Sequence, residues 1–196
     1  MHYPVITISR EYGSGGRAIG ERLAKELGVP FYDKELIFMA AKESGLSEEY
    51  IKKTEQMKST SFLYGLYMSA QQLPMNDQIF LVQSKIIRQV AQEGPCVILG
   101  RCADEILREA GMESLNVFIH ADAVHRAVRA SELTGCTDAT ELQKIIAKKD
   151  NSRHTYYNHY TGKKWGDSHN YHLVLDSGKL GYSLCTKLII EAAKGE

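Results

Sequence analysis

The stretch of this chain best suited to chemistry is Ser9-Arg10-Glu11-Tyr12-Gly13-Ser14-Gly15-Gly16-Arg17. It follows the apolar run Val5-Ile6-Thr7-Ile8 and precedes a pattern in which Ile19, Leu23 and Leu27 recur every four residues. Strand, glycine-rich turn and helix in that order form the geometry of a phosphate cradle. Glycines let backbone N–H groups converge on an anion, and the helix N-terminus adds the positive end of its dipole. The alternative is a plain tight turn, for which one glycine suffices; here Gly13, Gly15 and Gly16 occur together with Arg17. Gly13, Ser14, Gly15, Gly16 and Arg17 are therefore candidate ligands for the phosphates of a donor.

The strict phosphate-loop pattern is G-x-x-x-x-G-K-[ST], and this loop departs from it. Arg10 stands where the first Gly belongs, Gly16 where the Lys belongs, and Ala18 near the place of the Mg²⁺-binding hydroxyl. The missing Lys removes the point charge that normally meets the terminal phosphates. Arg17, one residue on, is in place to reach back for it, although its planar fork asks for different geometry.

Other chemistry-bearing residues lie at strand ends or on helix faces. Arg101 follows the apolar run Val97-Ile98-Leu99 and Gly100, at a strand's carboxyl end, where ligands bind in open α/β sheets. Its alternative is a surface ion pair with Asp104 or Glu105. Asp33 closes the second short strand, as a substrate contact, a helix cap or both. Arg126 and Arg129 share a helix face, reading either as substrate cations or as a solvated face. Lys149 and Arg153 share another, inside a segment (144–164) that carries Lys144, Lys148, Lys149, Arg153, Lys163 and Lys164 against Asp150. Tyr156, Tyr157 and Tyr160 interleave with those cations. Such a segment can be a cationic lid, a solvated face or a single-strand nucleic-acid platform. Asp176 and Ser177 open a turn at the end of the fifth strand that would line a ligand pocket or cap the last helix. For Mg²⁺, the third strand ends Leu-Gly-Arg without an acid, leaving Glu11, Asp33 and Asp122 to act through water. His154, His159, His169 and His172 have no cysteine at matching spacing, which argues against structural zinc.

Five short β-rich runs position these residues: 5–9, 29–32, 96–99, 115–120 and 171–176. Most are continuous apolar runs, as expected of parallel strands buried on both faces. Between them lie helical patterns: Ile19, Leu23 and Leu27 with Gly28 as a stop; Ile79, Val82, Ile86 and Val90 ending near Gly94-Pro95; and Leu180, Leu184 and Leu188. Alternating strands and helices predict a three-layer α/β domain with a parallel five-stranded sheet. Two strandless stretches interrupt it. Residues 33–94 read as entirely helical, with turns near Gly45 and Leu73-Pro74, and residues 122–164 form a second helical block.

Composition narrows the rest. The 196 residues carry 24 Lys plus Arg against 24 Asp plus Glu, which argues against a general nucleic-acid coat or a membrane-surface protein. A 43% hydrophobic content supports one sizeable core. Neutrality is a sum of unlike regions: 144–164 is strongly basic, while 43–55 holds Glu43, Glu48, Glu49 and Glu55 against Lys52 and Lys53. Cys96, Cys102, Cys136 and Cys185 are scattered, so a reducing cytosol is expected rather than a disulfide framework. No apolar run is long enough for a membrane span, and the N-terminus does not read as a signal peptide. A soluble, cytoplasmic protein is expected.

Taken together, three segments resemble the cytidylate kinase-like family, a divergent branch of the P-loop nucleoside monophosphate kinases. They are Ile-Ser-Arg-Glu-Tyr-Gly-Ser-Gly-Gly-Arg followed by Pro30-Phe31-Tyr32-Asp33-Lys34-Glu35-Leu36-Ile37; Gly100-Arg101-Cys102-Ala103-Asp104; and Tyr160-Thr161-Gly162-Lys163-Lys164-Trp165-Gly166-Asp167. The resemblance covers nearly the whole chain. It implies one P-loop kinase-like domain with a core (about 1–32, 95–121 and 168–196), a helical NMP-binding flap (about 33–94) and a lid (about 122–167). It also implies transfer of the γ-phosphoryl group of ATP, with Mg²⁺, to a nucleoside monophosphate, cytidylate by similarity. On that resemblance Arg101 and Asp33 serve the acceptor. Arg126-Ala127-Val128-Arg129 and Lys149-Asp150-x-x-Arg153 supply lid cations that act with Arg17 in catalysis, and Asp176 and Ser177 stand on the adenine side. Two rival readings stay open: a nucleotide-binding module without kinase activity, and a kinase for another small phosphate acceptor.

Overall fold

The computed structural model describes residues 2–33 and 75–195. The apolar runs become strands β1 (Val5–Arg10), β2 (Phe31–Tyr32), β3 (Cys96–Leu99), β4 (Leu115–His120) and β5 (Leu173–Asp176). All pair in parallel, in the order β2-β3-β1-β4-β5. Parallel neighbours need crossover connections. Helices α1 (Gly16–Leu27), α2 (Met75–Glu93), α3 (Ala103–Glu109), α4 (Ala123–Thr134) and α5 (Ala139–Thr161) provide them, and α6 (Ser177–Lys194) follows β5. This is the three-layer parallel architecture expected from the sequence. The helices and turns expected within 34–74 lie outside the described residues.

Alternate side chains of each strand enter opposite cores, because successive strand residues point to opposite faces. Cys96 and Ile98 join Val5, Ile86, Val90, Ile106 and Leu107 on the face covered by α2 and α3. Val97 and Leu99 join Ile8, Ile19, Leu23, Cys185 and Ile189 on the face covered by α1 and α6. The connection leaving β1 thus covers one face, and the connection leaving its neighbour β3 covers the other. Where adjacent strands send their helices to opposite faces, a crevice opens at their carboxyl ends, and ligands settle there in open α/β sheets. Here the crevice lies between residues 10–16 and residues 100–102.

Element boundaries depart from the sequence reading for local reasons. Strand β2 starts at Phe31 rather than at 29 because the Val29 N–H is already used: it donates to Ala24 O at 3.0 Å, closing α1, and Pro30 has no N–H to give. Strand β5 starts at Leu173, after a 3₁₀ turn over Ser168–Asn170. Helix α6 forms as expected, but Leu180, Leu184 and Leu188 lie on its exposed side, while Cys185, Ile189 and Ala193 are buried. All four cysteines are free. Among the described residues no helix is long and apolar enough to cross a membrane.

Helix α5 is anchored along its second half. Tyr157 is buried and its hydroxyl donates to the buried carboxylate of Asp104 at 2.7 Å. The Tyr160 ring stacks on Phe80 with centroids 3.9 Å apart, and Tyr156 donates to Gln83 at 3.1 Å. Tyr157 is core and the half-buried Tyr156 and Tyr160 pack against it and α2, so the aromatic half of 144–164 is not an open stacking platform. Just beyond, Lys163 reaches the buried Glu105 at 2.7 Å, and Arg108 holds the same carboxylate. Burial alone would raise the Glu105 pKa, but these two cations outweigh it and hold it below its ordinary 4.5. A depressed carboxylate pKa stabilises the fold above about pH 4.5, and that stability is lost as pH falls through the folded value. Lys163→Met is therefore expected to cost about 1–2 kcal/mol at pH 7. The difference from wild type should shrink in urea titrations repeated at pH 3.

Candidate functional site

The crevice is floored by the turn between β1 and α1. Gly15 is the N-cap of α1; no side chain caps this end and its first turn carries no acid. In contrast, Asp122, Asp138 and Asp176 cap α4, α5 and α6. At the head of α1 the first helical bond runs from Ile19 N–H to Gly15 O, so the preceding amides have no intrahelical acceptor. Ser14 folds back, its N–H and hydroxyl both donating to Glu11 O. A helix end with bare donors and no acid is disposed to hold an anion.

Arginines surround this end. Arg126 is nearly enclosed and fully engaged: its Nε donates to Tyr12 O at 2.8 Å, while its two terminal nitrogens meet Glu11 (3.3 Å) and Asp150. Asp150 also accepts from the Tyr12 N–H at 2.7 Å. Arg153 donates to the Arg10 carbonyl at 3.2 Å and lies over the Tyr12 ring, 5.6 Å from its centroid. Burial lowers its pKa from the ordinary arginine value. Through these contacts α4 and α5 are fastened directly onto the loop. Arg129 sits further out, 2.6 Å from Glu132. Lys149 is exposed and has no side-chain partner among the described residues. Of the four expected lid cations, the structure brings Arg126 and Arg153 to the loop, places Arg129 beside a neighbouring pocket, and leaves Lys149 in solvent.

On the other side, Arg101 is held at the end of β3 by unusual backbone. Gly100, Arg101 and Cys102 have φ of 71°, 62° and 55°, three consecutive left-handed residues. For the two non-glycines this costs on the order of 1–3 kcal/mol each, a strain that collects at functional sites. Asp104 and Glu105, the ion-pair partners considered for Arg101, are turned toward Tyr157 and toward Arg108 and Lys163. Asp33 is nearly buried and lies 3.4 Å from Arg17 Nε. Arg17 itself is about half exposed, and its Nε is shared between Glu21 at 2.9 Å and Asp33.

Beside the loop opens a cavity of about 520 Å³, lined by Gly13, Ser14, Val124, His125, Val128, Arg129, Ser177, Gly178 and Tyr182 among others. Val124 and Val128 are the apolar wall and largely exposed. Ser177 is on this wall, with its hydroxyl 2.5 Å from Ser14 O and 3.0 Å from His120 O, so it ties α6 to the loop. Asp176 takes the capping role, accepting from Gly178 and Lys179 N–H.

The proposed Mg²⁺ carboxylates do not converge. Glu11 accepts from Ala121 N–H and meets Arg126; Asp122 caps α4 and meets His125; Asp33 meets Arg17. No three metal-ligating side chains group together among the described residues. These side chains do not build a Mg²⁺ site of their own.

Arg10, which the loop pattern marks only as a departure, also reaches the crevice. Its side chain runs from the end of β1 beneath Gly16 and ends against Gly100, inside the crevice. The signal available in the sequence was the pairing of an arginine at the first loop position with a glycine at the lysine position.

The whole arrangement has relatives. Residues 5–179 match the model of the cytidylate kinase-like family. The chain belongs to that family. No curated protein matches it. Among solved structures, an uncharacterized protein from Eubacterium ventriosum is 28% identical, with 98% of this chain and 99% of that chain covered and a TM-score of 0.75. A shikimate kinase from Bacteroides thetaiotaomicron is 13% identical over 97% and 98% of the two chains, with a TM-score of 0.57. A gluconokinase from Sinorhizobium meliloti is 16% identical over 100% and 97%, with a TM-score of 0.54. The last two share the fold. The family member described here carries that kinase fold with an altered loop.

Proposed function

We propose that this protein transfers the γ-phosphoryl group of ATP to a nucleoside monophosphate, with cytidylate as the acceptor by similarity. The observation that carries the reading is the uncapped head of α1, with arginines around it and a cavity beside it large enough for a nucleoside. In this reading the amides at 13–17 and the head of α1 hold the donor phosphates. The base lies in the 520 Å³ cavity between Val124, Val128 and Ser177. Arg153 faces the transferring group; Mg²⁺ entering with the triphosphate would draw most of its ligands from the phosphates and would neutralise part of their charge. Arg101 and Asp33 meet the acceptor phosphate. An acceptor oxygen forms the new P–O bond as the bond to the β–γ bridging oxygen breaks, and the charge that develops is met by arginines fixed before the reaction.

The missing Lys favours a second reading, nucleotide binding without transfer. A coupled ADP-release assay with Mg·ATP separates them. The panel should hold cytidylate, deoxycytidylate, uridylate, adenylate and guanylate, with shikimate and gluconate added because structural neighbours carry those names. Turnover with a monophosphate is expected. ATP binding without turnover on any acceptor would replace the kinase reading with the binding module, and turnover on a hydroxy acid alone would replace the acceptor class. Arg101→Ala should raise the acceptor KM about tenfold to a hundredfold, the scale of a charge-assisted bidentate contact, and change the ATP KM by less than about threefold. Equal losses for both substrates would remove Arg101 from the acceptor side.

A further inference from the structure

We infer that Arg10 is the cation that grips the terminal phosphates of the donor, standing in for the lysine that the loop lacks at position 16. The inference rests on the donor-site reading above and deepens it.

Geometry carries the argument. Arg10 is the last residue of β1, and its stem passes directly beneath Gly16. A Cβ on Gly16 would stand 2.6 Å from the Arg10 Cβ and 3.0 Å from its Cγ, and the Arg10 Nη1 fills the space that a Cβ on Gly100 would need. Two glycines therefore open the slot through which the side chain reaches the crevice. Arg10 and a lysine at 16 exclude each other sterically, so the missing lysine and the unusual arginine are one exchange rather than two independent changes.

The surroundings point to an anion. Arg153, Arg101 and Arg17 all press on the Arg10 guanidinium electrostatically, and Asp33 alone pulls the other way. Asp33 is itself 3.4 Å from Arg17, and no carboxylate among the described residues lies within ion-pair distance of Arg10. Burial first, then Arg153, lowers the Arg10 pKa to about 9, so it remains a cation at neutral pH but is held at a cost to the fold. Arg17, by contrast, is half exposed and already has two carboxylates beside its Nε, Glu21 at 2.9 Å and Asp33 at 3.4 Å. A polyphosphate in the crevice would turn the repulsion around Arg10 into attraction.

The test compares Arg10→Met, Arg10→Lys, Arg17→Met and the exchange variant Arg10→Gly/Gly16→Lys. Calorimetric binding of inorganic tripolyphosphate and of Mg·ATP is measured, together with thermal unfolding of the protein alone. Arg10→Met is expected to weaken tripolyphosphate binding about tenfold to a hundredfold while its unfolding temperature stays level or rises. A residue serving only the fold would lower it instead. Arg10→Lys should recover part of the loss, the exchange variant most of it, and Arg17→Met should change affinity by less than about threefold. If Arg10→Met binds tripolyphosphate as wild type does, or if binding and unfolding temperature fall together while the exchange variant rescues neither, the inference is overturned and the donor-site reading stands. A wild-type protein that binds neither tripolyphosphate nor Mg·ATP overturns both.

Discussion

Gly13→Ala should destabilise the protein by about 2–5 kcal/mol and abolish measurable ATP binding. Two costs add. Gly13 has a φ of +82°, a left-handed conformation that costs a residue with a Cβ roughly 1–2 kcal/mol. The added Cβ would also stand 2.5 Å from the Arg126 carbonyl oxygen and 3.0 Å from its Cα. Those atoms belong to the backbone of α4, so no rotamer change relieves the clash, and forced overpacking costs about 1–3 kcal/mol. The neighbourhood cannot drift apart without further loss. Asp122 caps α4, and the Arg126 side chain binds Tyr12 O, Glu11 and Asp150 around the same turn. Urea unfolding and ATP calorimetry read both effects. A stability change under about 0.5 kcal/mol with normal binding would mean that loop and α4 are not packed as described.

The second large effect is expected at Arg153. Arg153→Met should lower kcat by about 10²–10³-fold, roughly 3–4 kcal/mol of transition-state stabilisation, and weaken ATP binding by less than tenfold. The guanidinium is already at the loop, 3.2 Å from the Arg10 carbonyl and over the Tyr12 ring, in a partly buried position. A cation held there needs no reorganisation when charge develops on the transferring group. Stability should change little, since Asp150 keeps Arg126 and the Tyr12 N–H as partners. Steady-state kinetics together with unfolding checks it. A fall in affinity with kcat unchanged would make Arg153 a ground-state ligand.

The sheet was legible because continuous apolar runs can only be satisfied between two covered faces, and each predicted run overlaps an observed strand. The limits appeared where backbone hydrogen bonding decides. Val29 looks like strand sequence, but its N–H closes α1. On α6 the leucines drew attention, yet the core takes Cys185, Ile189 and Ala193, smaller on average, on the side where that helix joins α1 against the sheet. A hydropathy pattern favours the largest apolar residues and overlooks a face where helices meet closely. Gly181, with φ 73° and ψ 157°, also breaks the helical phase between Leu180 and Leu184.

The candidate site was legible in its residue types and less so in its directions. The glycine loop, Arg101 and Arg153 stand at the crevice, where their motif context put them. Lys149 does not, and Arg17 is shared between Glu21 and Asp33, because a side chain on an exposed helix face takes the nearest carboxylate or the solvent, and spacing along the chain does not record which. Arg10 was hidden for the opposite reason. An arginine at a strand end reads as a charge leaving the sheet, and only the room left by Gly16 and Gly100 shows that it turns inward. Tyr156, Tyr157 and Tyr160 read in sequence as a basic-aromatic surface, but they pack against the core that α2 and α3 help to form.

The most direct test of the central claim is a crystal structure with Mg²⁺ and a non-hydrolysable ATP analogue. The prediction is triphosphate density between the amides of residues 13–17 and the guanidinium of Arg153, with the base in the cavity walled by Val124, Val128 and Ser177. A nucleotide bound with its phosphates away from this loop, or with its base outside that cavity, would contradict it.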